Sequence, residues 1–398
     1  MTKNTNIPKL RFKEYSEPWT SKSLGDITNC VDYRGRAPIK TESGIFLVTA
    51  KNIKKGYIDY ECSKEYVSVD NYSSVMSKGL PKLGDILFTT EAPMGNIAMV
   101  DNERIALAQR VIKFRGNESI KNSYLLYYML SNVFQKSITL KSFGTTVQGI
   151  SSKELQKEII SFPNHHEQSK IASFLTAVDD KLQALKKKKE LLEQYKKGMM
   201  QQLFSQEIRF KKDDGTNYPD WEEKRLGDLC LINMGQSPSS SSYNNVGDGF
   251  PLIQGNADIQ NRLSNPRNWT TEMTKECLVG DIILTVRAPV GAIAKSVHNA
   301  CIGRGVCSIR SNSKSVNEFI YQFLFDYESK WGRLEQGSTF TAVSGNEIRN
   351  LSIMIPSIEE QTKIANFLSA IDEKIAHCQS ELDGLEQWKK GLLQQLFC

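Results

Sequence analysis

Along two stretches of the chain, apolar residues recur at alternating spacings of three and four, the pattern of a helix whose seam faces a partner helix. The first stretch runs through Leu175, Val178, Leu182, Leu185, Leu192, Met199 and Leu203. The second runs through Leu368, Ile371, Ile375, Cys378, Leu382, Leu385, Leu392 and Leu396. They are copies: Glu167–Phe204 returns without a gap as Glu360–Phe397, 193 positions later. Pro163 and Pro356 close what precedes, Asn164 and Ser357 are N-cap residue types, and Glu167 and Glu360 follow three residues on, predicting a capping box. A helix of about 38 residues is roughly 57 Å long, too long to pack within one compact globule, so each reads as a strut. The first, with Lys181 and Lys186–Lys189, is net basic; the second, with Glu381, Asp383 and Glu386, is net acidic. Unlike charges beside the two seams favour pairing these helices with each other.

Elsewhere the pattern is shorter. Apolar runs at Gly44–Thr49, Ile86–Thr90, Asn96–Val100 and Val111–Phe114, bounded by Gly, Pro, Asn or Asp, predict strands. Asn122–Ser137, with Tyr124, Leu125, Tyr128 and Met129, predicts a helix that is repeated around Phe319–Phe325. Strands followed by helices without regular alternation give the fold class α+β. The duplication extends through these parts. Leu10-Arg11-Phe12-Lys13 returns as Ile208-Arg209-Phe210-Lys211, and Trp19 with Leu24-Gly25-Asp26 returns as Trp221 with Leu226-Gly227-Asp228. Leu83-Gly84-Asp85 matches Val279-Gly280-Asp281, and Ala92-Pro93-Met94-Gly95 matches Ala288-Pro289-Val290-Gly291. The offset changes between anchors, so the framework is repeated and the loops are not. The Ser- and Gly-rich segment Gly235–Gly249 is expected to be a surface loop that does not pack.

A length of 398 residues allows two or three domains, and 39% hydrophobic residues suffice for two cores. No apolar run approaches the roughly 18 residues of a membrane span, and the first residues hold no signal core. A soluble cytoplasmic protein with no membrane partner is expected. The eight cysteines show no metal-type spacing and read as reduced thiols. Of the net charge of +6, residues 1–163 carry 23 basic against 16 acidic groups, whereas residues 205–356 carry 16 against 17. Charge therefore nominates only the first half for a polyanion.

Catalytic patterns are missing. There is no P-loop, no glycine-rich cofactor loop and no Asn- or Asp-Pro-Pro-Tyr motif of an amino-methyltransferase. Pro219-Asp220 and Glu222-Glu223-Lys224 lack the spacer of a nuclease site, and the pair His165-His166 has no counterpart before the second helix. No catalytic residue, metal site or cofactor is assigned to this chain. Loop chemistry suited to DNA is present in both halves. Gly35 and Gly235 permit close approach, while Arg36, Gln236, Arg110, Arg287, Arg304, Lys51, Asn52 and Asn256 can present donors to base edges or phosphates. Thr145, Thr146 and Gln148, like Ser338, Thr339 and Thr341, lie in small, hydroxyl-rich loops of the kind that bond phosphate.

With the repeat complete, the chain resembles the specificity subunit of a type I restriction-modification system. The resemblance rests on the doubled P-x(3)-EQ-x-KIA-x-FL before each long helix, the PKLRF segment with its following Trp, the LGD elements and the AP-x-G turns. It implies two tandem α+β target-recognition domains separated by two long antiparallel coiled-coil helices, with an internal pseudo-two-fold repeat. The corresponding division is 1–163, recognition domain; 164–204, spacer helix; 205–356, recognition domain; 357–398, spacer helix. It also implies that each domain reads one half of a split double-stranded DNA site. The implied partners are two modification subunits and the restriction subunits, to which S-adenosylmethionine, ATP and Mg belong. The alternatives from other classes are a structural adaptor built on the helix pair and a self-contained methyltransferase or nuclease.

Overall fold

A computed structural model describes the chain except residues 1–6, 36, 145–147 and 336–341, and the side chains of 332–335. The chain forms two compact units: residues 1–186 with 380–398, and residues 187–379. Each unit thus combines one α+β body with the amino-terminal part of one long helix and the carboxy-terminal part of the other.

In unit 1 a strand at Thr20–Ser23 pairs antiparallel with Ile159–Phe162 just before the first long helix, His165–Phe204. In unit 2 Glu222–Arg225 pairs with Ser352–Ile355 just before the second, Ile358–Gln395. A one-turn helix of the Leu-Gly-Asp type follows each opening strand, at Leu24–Ile27 and Leu226–Leu229. The glycine there lets a neighbouring short helix approach: a Cβ on Gly25 would lie 3.3 Å from Gln156 O, and one on Gly227 3.2 Å from Arg349 O.

The central sheet of unit 1 orders Thr28–Asp32, Val111–Gly116, Ile86–Thr89 and Ile97–Met99, all antiparallel. A second sheet holds Tyr66–Val67, Ile45–Val48 and Ile105–Leu107, the last two parallel. Successive side chains of a strand point to opposite faces. Ile86 and Phe88 therefore enter the core shared with the helices, and Leu87 enters the core of the second sheet. Both faces are covered, which is why this strand reads as an unbroken apolar run. Unit 2 repeats the scheme, with Ile282 and Leu284 in one core and Ile283 in the other. It adds the hairpin strands Ile259–Gln260 and Leu263–Ser264 to one sheet.

Three local expectations are revised. Asn122–Ser137 is two helices, Asn122–Leu130 and Asn132–Leu140, because extended Ser131 interrupts and its hydroxyl caps the second by accepting from Phe134 N. The Gly235–Gly249 segment is not an unpacked loop, since Tyr243–Asn244 joins a sheet by pairing with Asn268–Thr270. Asn164 and Ser357 do cap the long helices, accepting from Glu167 N (3.0 Å) and Glu360 N (3.4 Å). The two glutamates, however, do not complete capping boxes. Arg11 donates to both oxygens of Glu167 at 2.8 Å, and Arg209 donates to Glu360 at 3.2 and 2.7 Å. The glutamine that follows also has a structural task in each copy. Gln168 accepts from Lys121 N and donates to Pro163 O, and Gln361 accepts from Val316 N and donates to Pro356 O, all at 2.8 Å.

The long helices pack against each other in antiparallel fashion, numbers rising on one as they fall on the other. Leu175, Val178, Leu182 and Leu185 share a buried cluster with Leu382, Leu392 and Leu396 in unit 1. In unit 2 the cluster combines Met200 and Leu203 with Leu368 and Ile371. Cys378 is buried, while Leu192, Met199, Ile375 and Leu385 are half-buried; Met200 and Lys196 occupy the interior near Met199.

Sign complementarity across the helices is seen at Lys186–Glu386 (3.0 Å), on the surface. The deeper ties are two equivalent Asp–Lys pairs, one with the acid on each helix. In unit 1 Lys389 pairs with Asp179, which also accepts from Tyr127 Oη at 2.9 Å. In unit 2 Lys196 bonds both oxygens of Asp372 at 2.7 and 2.8 Å, and Gln322 Nε2 donates to the same carboxylate at 2.8 Å. Each aspartate thus joins the partner long helix to a helix of the α+β body. Burial pushes the Lys196 ammonium below the usual lysine range, against the opposing effect of Asp372. Among the described residues no helix is long and apolar enough to cross a membrane.

Candidate nucleic-acid interface

In each unit the candidate surface grows from a pair of parallel strands: Ile45–Val48 beside Ile105–Leu107, and Phe250–Ile253 beside Ala300–Ile302. Parallel neighbours end at the same edge, so the loops that leave them emerge side by side. Ala108 N donates to Val48 O (3.0 Å), and Gly303 N to Ile253 O (2.8 Å). Thr90 N donates to Arg110 O (3.1 Å), and Val286 N to Gly305 O (2.9 Å). These bonds fix a residue correspondence between the repeats. Gln109 matches Arg304, Arg110 matches Gly305, and Glu91 matches Arg287.

That correspondence sets the local charge. In unit 1 three cations of this surface are paired with carboxylates: Arg110 with Glu91 (2.9 Å), Lys40 with Glu65 (2.8 Å) and Arg34 with Asp32 (2.5 Å). Burial opposes the charge on Asp32, but hydrogen bonds from the Arg34 side chain and main chain outweigh it and hold the carboxyl below its usual range. In unit 2 the positions of Glu91 and Arg110 are taken by Arg287 and Gly305. Arg287 and Arg304 are exposed, and neither meets a carboxylate among the described residues. A body with no basic surplus therefore presents a locally positive surface.

Local packing positions these groups. A Cβ on Gly235 would stand 2.2 Å from Gly303 O, so glycine is required for the close approach of the two loops. The neighbouring Gln236 is exposed and anchored through its main-chain N–H, which donates to Ile302 O (2.9 Å). Ser237 Oγ accepts from Arg304 N (3.2 Å) and Nε (3.4 Å), seating the arginine. Gly35 serves differently: its φ of 122° is left-handed, and nothing would touch an added Cβ. In unit 1 a cleft of about 320 Å³ is lined by Thr49, Lys51, Gln109 and Arg110. A second of about 590 Å³, sharing Ala37 and Pro38 with it, reaches Gly35, Arg34 and Lys78.

The sequence-nominated residues divide accordingly. Lys51 and Arg110 come together in unit 1, beside Gln109, and Gln236, Arg287 and Arg304 in unit 2. Gln148 is exposed, next to Gly149, which bridges to Glu91. Arg36, Thr145, Thr146, Ser338, Thr339 and Thr341 lie outside the described residues. Asn52 is a correction: it is fully buried, its carbonyl accepting from Thr49 N (3.0 Å) and Thr49 Oγ1 (2.8 Å) while its amide donates to Asp59 O (2.9 Å) and Ser63 O (2.8 Å). With these bonds filled, it holds the loop and cannot face a ligand. Its structural counterpart is the buried Asp258, which accepts from Gln254 N (2.8 Å), whereas Asn256 is exposed. Sequence reasoning missed Gln109 and Ser237. The Gly-Arg-Gly triplet at 303–305 was the available signal for a seated arginine. His165 lies at the start of the first long helix with Nε2 2.6 Å from Glu118 O.

Comparison with known proteins agrees with this architecture. The model of the type I restriction modification DNA specificity domain matches twice, over residues 16–194 and 218–387. A putative type I restriction enzyme specificity subunit, MjaX, from Methanocaldococcus jannaschii is 32% identical over 99% of this chain and 96% of its own. The EcoBI specificity subunit of Escherichia coli is 22% identical, with 92% of this chain and 82% of its own covered. In fold, the S subunit of a type I restriction-modification system from M. genitalium matches with a TM-score of 0.66 at 17% identity, covering 98% of this chain and 99% of that one. The chain belongs to the type I restriction-modification DNA specificity family. It is a specificity subunit, the non-catalytic component of such a system.

Proposed function

We propose that this subunit recognises a bipartite, asymmetric double-stranded DNA site, each repeat reading one half, while the long helices set the gap and dock two modification subunits. The division 1–163, 164–204, 205–356 and 357–398 assigns reading to the first and third segments and spacing to the second and fourth. Restriction subunits complete the assembly. S-adenosylmethionine, ATP and Mg act in those partners, in the cytoplasm, where the DNA is.

The observation that carries this reading is the repeated loop edge. In both units a parallel strand pair delivers exposed donors to one surface, and the framework behind it is the same while the donors differ. A shared scaffold with unlike donors suits two unlike half-sites. In this reading Lys51, Arg110, Gln148, Gln236, Asn256, Arg287 and Arg304 face DNA, with the glycines at 35 and 235 shaping the loops. The test is co-expression with a cognate modification subunit, followed by genome-wide mapping of methylated adenines. A split motif is expected. Absence of any motif overturns the reading, and methylation by this chain alone would make it an enzyme.

A further inference from the structure

Gln109 and Arg304 occupy the same place in the two repeats, and they differ in the one property that separates adenine from guanine readers. Each follows the second strand of the parallel pair by the same register, established by the Ala108–Val48 and Gly303–Ile253 bonds. Both are exposed. The residue next to Gln109, Arg110, is held by Glu91 at 2.9 Å, while Gln109 lines the cleft of unit 1. Arg304 stands between two glycines that bring the chain against Gln254: a Cβ on Gly305 would lie 2.1 Å from Gln254 O and one on Gly303 3.3 Å from Gln254 Cγ. Ser237 steadies the near end of its guanidinium at Nε, leaving the two terminal nitrogens for a ligand.

We infer that Gln109 and Arg304 are the equivalent base-reading residues of the two repeats, Gln109 reading an adenine in one half-site and Arg304 a guanine in the other. A carboxamide matches the donor–acceptor edge of adenine in the major groove, and a guanidinium matches the two acceptors of guanine. Arg110 is then a phosphate or packing group, limited by its pairing with Glu91. The inference rests on the DNA-recognition reading above.

The test uses the full chain assembled with its modification subunit, acting on DNA with randomised half-sites, and compares the wild type with Gln109→Arg, Arg304→Gln and Arg304→Lys. In Gln109→Arg, one adenine position of one half-site should switch to guanine by about tenfold or more, with the other half-site unchanged. Arg304→Gln should switch one guanine to adenine in the other half-site. Arg304→Lys should keep guanine with a weaker preference, and it guards against loss of folding in the glutamine variant. An unchanged motif in both switching variants overturns the inference, as does a uniform loss of methylation over all sequences from properly folded protein, which marks a phosphate contact. A wild type that yields no split motif sinks the underlying reading instead.

Discussion

Arg11 grips Glu167 through two parallel bonds of 2.8 Å across 156 residues of sequence, and Glu167 is wholly buried. The segment that opens the first repeat is thereby locked to the start of the long helix that closes it. Replacing only the arginine, by methionine, leaves a carboxylate without its counter-charge in the interior. The expected cost is about 3–5 kcal/mol, and Arg11→Met with Glu167→Met should recover much of it. Urea unfolding of the wild type and the two variants decides the matter, and a small loss in the single variant would show that water reaches the site.

The tie between Lys196 and Asp372 is lopsided. The lysine side chain is 6% exposed and the aspartate 40%. Asp372→Asn strands the buried ammonium and should therefore cost more than Lys196→Met, whose leftover carboxylate can meet water. The pH response gives a second readout. With its folded value below the unfolded one, Lys196 binds fewer protons in the folded state, so its penalty is full at neutral pH and relieved as pH rises toward the ordinary 10.5. Asp372→Asn removes the opposing effect of the carboxylate and should steepen that rise in thermal melts between neutral and alkaline pH.

Acid sensitivity is expected at Asp85. Burial raises its carboxyl, but Arg115, bonded at 2.6 and 2.7 Å, the Lys82 amide and Lys113 outweigh burial and hold it below the ordinary 3.8. A depressed folded value means that the contribution is complete above the unfolded value and is lost as pH falls through the folded one. The stability difference between the wild type and Asp85→Asn should accordingly shrink as pH drops below about 4. A difference independent of pH would remove ionisation of Asp85 from the account.

Adjacent residues in one loop should respond in opposite ways. Asn52→Ala removes the side-chain bonds to main-chain groups at Thr49, Asp59 and Ser63 and should destabilise unit 1 by about 1–3 kcal/mol. Exposed Lys51→Ala should leave stability unchanged and lower the salt slope of DNA binding by about 1. Melting curves and binding of the assembled complex across a salt series separate the two. A folded, stable Asn52→Ala protein that loses DNA binding would restore that residue to the interface.

Length of the helix pair is expected to govern the gap. Inserting seven residues into both helices, near Lys188 and Glu381, keeps the seam register and adds roughly 10 Å. Selection from DNA of varied gap should return the same half-sites with a spacer longer by about three base pairs. An unlengthened spacer with retained activity would show that the helices do not set it.

The sequence alone was enough for the duplication, the two long helices, most central strands and the family. All of these rest on local periodicity or on repeated motifs, which a chain displays without being folded. Seam residues such as Leu182 and Leu382 were legible because burial on a helix repeats at a fixed interval. Tertiary structure decided what depends on partners distant in sequence. Glu167 and Glu360 look like capping residues until Arg11 and Arg209 arrive to take their carboxylates. Asn52 looks like a base reader until its loop folds over it. Insertions between the repeats concealed that Gln109, not Arg110, corresponds to Arg304, and only the hydrogen bonds of the parallel strands restore that register. Net charge nominated only the first repeat, but the field at a surface depends on which charges are paired there, and pairing is settled by the fold.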